Sequence, residues 1–145
     1  MLTPTAAFGS MPADAIVLSV VSHGHGALVQ HLLHGLARLG GAEVTRVVLT
    51  QNLPEQEPTP PVGGWPFELQ VRCNAVPQGF AANHNAALAH ADEAFYAIVN
   101  PDVEWLGCNP FPALLQALRS VQAGLAYPLQ LDAAGKLQDS EREVP

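Results

Sequence analysis

Four short segments carry the residue types that could do chemistry: Ser22-His23, Thr50-Gln51-Asn52, Gly79–Asn85 and Asn100-Pro101-Asp102. Asn100-Pro101-Asp102 is the most informative. A carboxylate following an apolar run is costly unless something positive faces it, and a hard divalent cation would serve. Mg²⁺ takes one or two protein carboxylates and completes its shell with phosphate oxygens and water. The structural alternative is an Asx turn in which Asp102 accepts backbone N–H bonds. Gly79-Phe80-Ala81-Ala82-Asn83-His84-Asn85 sets small residues before a helix start, where backbone N–H groups and the helix dipole favour an anion such as a diphosphate. No Gly-Lys-Ser/Thr follows, so a structural N-cap with a tight turn is the competing explanation.

The histidines divide by neighbourhood. His23 and His25 suit contact with a nucleotide or a sugar hydroxyl. His31 and His34 stand three apart on one helix face and could share a metal. No cysteine, carboxylate or third histidine nearby completes the set, so a solvated helix face outweighs that reading. A surface role also outweighs a catalytic one for His84. The sequence has no G-x-S-x-G, H-E-x-x-H or G-x-G-x-x-G, which weakens hydrolase and dinucleotide-binding readings.

These segments are positioned by alternating elements. Ala15–Val21, Glu43–Leu49, Glu68–Cys73 and Ala94–Val99 are short apolar or β-rich runs that read as strands, and Gly124–Leu131 is expected as a last strand, at an edge or bulge because of Pro128. Leu28, Leu32, Leu36 and Leu39, joined by Val29 and Leu33, predict an amphipathic helix over Ala27–Leu39 that Gly40-Gly41 stops. Asn83 suits an N-cap for a second helix through Ala91, and Pro112–Val121 predicts a third. Five prolines make 52–66 a loop. The order predicts an α/β fold with a mostly parallel sheet and helices on both faces, with ligands beyond the carboxyl ends of the strands.

Composition narrows the classes further. A chain of 145 residues with 48% hydrophobic and 13% charged residues predicts one folded domain, with 1–14 a flexible leader and 15–145 the domain. A net charge of −7, without a basic run, argues against nucleic-acid partners and a polybasic membrane tether. Cys73 and Cys108 stand far apart, which fits reducing cytoplasm. No apolar stretch reaches the roughly 20 residues of a membrane span, and Met1–Pro12 lacks the basic start of a signal peptide. A sheet exposing an edge and an apolar face after Leu131 would predict a homodimer.

Taken together, Ile16–Val21, Thr50-Gln51-Asn52, Asn74–Asn85 and the strand-terminal Asn100-Pro101-Asp102-Val103 resemble the family 2 glycosyltransferases of GT-A fold, a Rossmann-like nucleotide-diphospho-sugar transferase fold, in particular the rhamnosyltransferase-like branch. The similarity spans nearly all of Ile16–Pro145, and the tail Asp132–Pro145 is similar to a D-x-x-G-x-x-x-D-S-x-R-x-x-P segment of many relatives. The resemblance implies an inverting transferase of polysaccharide biosynthesis. It would move a sugar from a dTDP-rhamnose or UDP-sugar type donor to a glycan or lipid-linked acceptor, in the cytoplasm or peripherally at the inner membrane. It implies Asp102 as ligand of Mg²⁺ or Mn²⁺, Asn100 in place of the first acid of D-x-D, and Ser22 and His23 against base or ribose. Gly79, Asn83 and Asn85 would line the donor pocket, and Thr50 or Asn52 would supply neutral hydrogen bonds where relatives carry acids. His84 stands where relatives carry Asn or a small residue. The family's catalytic base comes from beyond the position of Pro145, and Asp132, Asp139, Glu141 and Glu143 all precede it, so no base is assigned. The alternative is a noncatalytic nucleotide-sugar-binding or interaction domain lacking the acceptor half.

Overall fold

The computed structural model describes residues 12–120 and 123–138; most of the expected leader and the tail 139–145 of the resemblance lie outside the described residues. These residues fall into two compact units that meet at Asn109/Pro110 in sequence. The first is a four-stranded sheet with two helices: β1 (Ile16–Ser22), α1 (Gly26–Leu39), β2 (Val44–Gln51), β3 (Glu68–Cys73), α2 (Phe80–Leu88) and β4 (Phe95–Ile98). Every pairing is parallel, and the strand order is β3-β2-β1-β4.

That order follows from the run of the chain. The β1–α1–β2 crossover steps to one side of β1, whereas β3–α2–β4 returns across β2 and β1 to the other side. Right-handed crossovers taken in opposite directions set their helices on opposite faces. Both faces of β1 are therefore covered: Val17 and Ser19 on one and Leu18 and Val20 on the other are fully buried. Val17 and Val48 pack with Ala87 of α2, while Val29, Leu32, Leu33 and Leu36 form the buried stripe of α1. Each buried valine or leucine side chain contributes about 1.5–3 kcal/mol relative to exposure. The sheet is α/β and compatible with a Rossmann-like fold. Helix α2 covers β1 and β2 but leaves Tyr96 and Ile98 of β4, on the same face, more than half exposed.

Several expectations shift. β3 has the expected bounds, and α1 ends at Leu39 with Gly40 in the left-handed conformation (φ 65°). Leu28 is not core: it lies exposed on the flank of α1. Helix α2 starts earlier than expected, with Gly79 as N-cap, so Asn83 is an interior residue and not the cap. His84 is buried, not on the surface.

The second unit contains α3 (Phe111–Ser120) and a turn through 130–138. No strand forms over Gly124–Leu131 among the described residues. Leu131 makes one antiparallel bridge to Leu137, around a turn in which the Asp132 carboxylate accepts the Ala134 and Lys136 N–H groups at 2.9 Å. Pro128 has no N–H for a ladder, and the short-range Asp132 turn supplies hydrogen bonds that a long strand pairing would otherwise provide.

Candidate functional site

The strand order reverses between β1 and β4, and an open cleft of about 350 Å³ lies at their carboxyl ends. Its size is at the lower end of small-ligand sites, and its position obeys the rule for open parallel sheets. Val21, Leu28 and Phe80 supply apolar surface; His23, Asn100 and Asp102 supply polar groups. Asn52 and Asn83 also reach its wall, as do His25 and Gln78.

Asp102 is exposed, and among the described residues no hydrogen bond or ion pair engages its carboxylate. The turn after β4 closes through Val103 N–H donating to the Asn100 carbonyl at 3.2 Å, so the backbone makes the turn and the Asp102 side chain does not. One free carboxylate beside a neutral Asn100 fits a hard cation that takes its remaining ligands from phosphate and water. The described residues contain no cluster of three or more metal-ligating side chains.

The segment bearing Asp102 is held from behind by α1. Trp105 Nε1–H donates to the Leu32 carbonyl at 3.1 Å, and its ring rests on Gly35, where an added Cβ would stand 2.7 Å from Trp105 Cδ1. Asn109 Nδ2 donates to Glu43 Oε2 at 2.9 Å and closes the same segment at its far end. The glycine inside α1 is therefore a docking place for an indole.

Asn52 lines the cleft and Ser22 does not, and the side chains of both have their hydrogen bonds already taken. Ser22 Oγ donates to Glu55 Oε2 at 2.8 Å and accepts from His25 N–H at 3.1 Å; the other Glu55 oxygen accepts Gly24 N–H at 2.8 Å. Glu55, which the sequence did not single out, thus ties the 52–66 loop to the loop after β1. Further along, Thr59 pairs with Gln30 in both directions at 2.8 Å, and His34 Nε2–H donates to the Thr59 carbonyl at 3.0 Å while its ring meets the Trp65 ring edge-on. His34 is a loop anchor and not a solvated face. His31 remains exposed, 4.0 Å from Glu104.

Asn52 is the centre of an amide cluster. Its Oδ1 accepts from Asn74 Nδ2 at 2.8 Å and Gln78 N–H at 2.7 Å, and its Nδ2 donates to the Gln78 carbonyl at 2.9 Å and to His23 Nδ1 at 3.1 Å. Asn83, 2% exposed, joins by accepting from Asn74 at 2.7 Å and donating to the Gln78 carbonyl at 3.1 Å. Asparagine 83 therefore fixes the approach to α2. Thr50 is buried within the sheet layer, and its hydroxyl has no partner among the described residues. Neither Thr50, Gly79 nor Asn85 lines the cleft.

Beneath α2, His84 Nδ1 and Ser19 Oγ make a buried hydrogen bond of 2.8 Å, and the ring packs against Phe80. Burial pushes the His84 imidazolium pKa down, so the ring is held neutral. At the opposite end of the strands, Arg46 meets the buried Glu93 in a bidentate pair of 2.8 and 2.6 Å. Burial works against the Glu93 carboxylate. The Arg46 hydrogen bonds and nearby backbone N–H groups outweigh it and hold the group below its ordinary range.

No helix among the described residues is long and apolar enough to cross a membrane. Comparison with protein-family models, curated proteins and solved structures finds no match.

Proposed function

We propose that the cleft holds a nucleoside-diphosphate sugar and that the chain is the donor-binding part of an inverting, family 2 type glycosyltransferase of GT-A fold. Its acceptor would be a carbohydrate or a lipid-linked glycan. The carrying observation is the Asp102 carboxylate in the turn after β4, unpartnered among the described residues and lining a cleft at the point where strand order reverses. Asp102, with Asn100 beside it, would hold Mg²⁺ or Mn²⁺. A bound ion of this kind offsets the charge that grows on a departing diphosphate. His23 and the apolar wall of Val21, Leu28 and Phe80 suit a flat nucleoside with a few acceptor groups. Ser22 and Asn52 hold the walls in place and Asn83 fixes the start of α2, each through the bonds above.

A second reading, a noncatalytic nucleotide-sugar-binding domain, takes support from the same lining: among the described residues Asp102 is the cleft's one carboxylate, and the metal role uses it.

Titration calorimetry with UDP, dTDP and GDP, each with and without Mn²⁺, tests the proposal. The expected result is metal-dependent binding of at least one nucleotide, weakened at least about tenfold by Asp102→Ala, the size of losing one charge-assisted contact. Binding of none of the three, or binding indifferent to both Mn²⁺ and Asp102→Ala, contradicts it. Sugar transfer or donor hydrolysis then separates enzyme from binder.

A further inference from the structure

The amide of Asn52 has only one possible orientation, because two of its partners are backbone groups with fixed roles. Gln78 N–H can only donate, and it lies 2.7 Å from Asn52 Oδ1; the Gln78 carbonyl can only accept, and it lies 2.9 Å from Nδ2. A flipped amide would set donor against donor and oxygen against oxygen. One Nδ2 hydrogen goes to the Gln78 carbonyl, and the other is directed at His23 Nδ1, 3.1 Å away. A ring nitrogen that receives this bond must offer its lone pair. The proton of neutral His23 therefore resides on Nε2.

We propose that Asn52 locks His23 as the Nε2–H tautomer, and that this N–H is a fixed donor which the cleft offers to an oxygen acceptor of the ligand. Under the donor reading above, on which the ligand half of this proposal rests, the acceptor is a nucleobase carbonyl or a phosphate oxygen of the nucleoside diphosphate. Histidine 23 is exposed and lines the cleft, and with Nδ1 committed, Nε2 is the ring's remaining polar atom. Asn52 has all its hydrogen-bonding capacity engaged within the chain. It is a positioning residue, and selection falls to His23. A ligand amino group at this point would meet a donor that cannot reverse its role, which disfavours it relative to a carbonyl.

Nitrogen-15 NMR of the histidine rings in the whole chain, at about pH 8 where histidine is neutral, reads the tautomer directly. The expected spectrum has His23 protonated at Nε2 and bare at Nδ1. Asn52→Asp, which turns the donor opposite Nδ1 into an acceptor, is expected to move the proton to Nδ1. Should that variant not fold, the wild-type spectrum decides alone. Addition of UDP is expected to shift His23 Nε2. The same shift with uridine assigns the acceptor to the base, and a shift with UMP and UDP but not uridine assigns it to a phosphate. His23→Phe is expected to weaken UDP binding about five- to tenfold, the usual scale for one hydrogen bond, and His23→Gln to recover part of it. A wild-type His23 protonated at Nδ1, or averaged between tautomers, overturns the proposal whatever binds. UDP binding that leaves His23 Nε2 unmoved also overturns it and leaves the donor reading standing. Failure of UDP, dTDP and GDP to bind overturns the donor reading and, with it, the ligand named here.

Discussion

Buried polar residues do two different jobs in this chain. Buried Asn52 and Asn83 are satisfied by the half-buried Asn74 and by the Gln78 backbone, so they cost little to bury and give the cleft wall a single arrangement. His84 is less fully satisfied: Ser19 engages Nδ1, while the buried Nε2 has no partner among the described residues. Its lowered pKa makes stability depend on pH with a definite sign. Above the unfolded-state value of 6.5 both states are neutral and stability is complete. As the pH falls below that value the unfolded chain binds the proton first, and the loss is complete once the folded-state pKa is passed. The melting temperature is therefore expected to fall between about pH 7 and 5, with a shallower slope in His84→Gln. An unchanged slope in that variant would contradict the assignment. Glu93 acts in a separate window, its contribution present above the unfolded-state value of 4.5 and lost as the pH falls through its lower folded pKa.

The elements show how a helix can serve a site that it only partly lines. Gly35 lets the Trp105 ring approach α1, and Trp105 anchors the segment that carries Asp102. On helix propensity alone Gly35→Ala would stabilise α1 by about 1 kcal/mol. The 2.7 Å approach of the added Cβ to Trp105 Cδ1 reverses that sign. Overpacking of this kind costs about 1–3 kcal/mol, so the variant is expected to melt earlier and to show altered Trp105 fluorescence. A higher melting temperature with an unchanged spectrum would contradict the packing argument. Much of this layer was legible in the sequence. The β-rich run of Glu68–Cys73 and the leucine spacing of α1 are local signals, and each element formed close to its expected bounds. The start of α2 was misread because Asn83 looks like a cap in isolation, whereas its amide is engaged by Asn74 and Gln78. The missing last strand has the same kind of cause: the apolar run ending at Leu131 resembles a strand locally, but Pro128 and the Asp132 turn decide its conformation.

At the scale of the whole sheet, the two ends of the strands are chemically unlike. The amino ends carry the closed Arg46–Glu93 pair, with Glu93 5% exposed, while the carboxyl ends open onto the cleft with Asp102 unpaired among the described residues. The rule that ligands gather beyond the strand ends made His23, Asn100 and Asp102 candidates from sequence, and all three line the cleft. The rule could not tell ligand-facing groups from committed ones. Ser22 is saturated partly by Glu55, and Asn52 by Asn74, Gln78 and His23, partners that only the fold brings within reach. The central claim, that this end of the sheet gathers a divalent ion and a nucleotide diphosphate at Asp102, is tested most directly by paramagnetic broadening. With UDP or dTDP present, a small amount of Mn²⁺ should erase the backbone NMR signals of Asn100, Asp102 and His23 while those of Arg46 and Glu93 stay sharp. Sharp signals throughout the cleft, or broadening centred elsewhere on the chain, would contradict it.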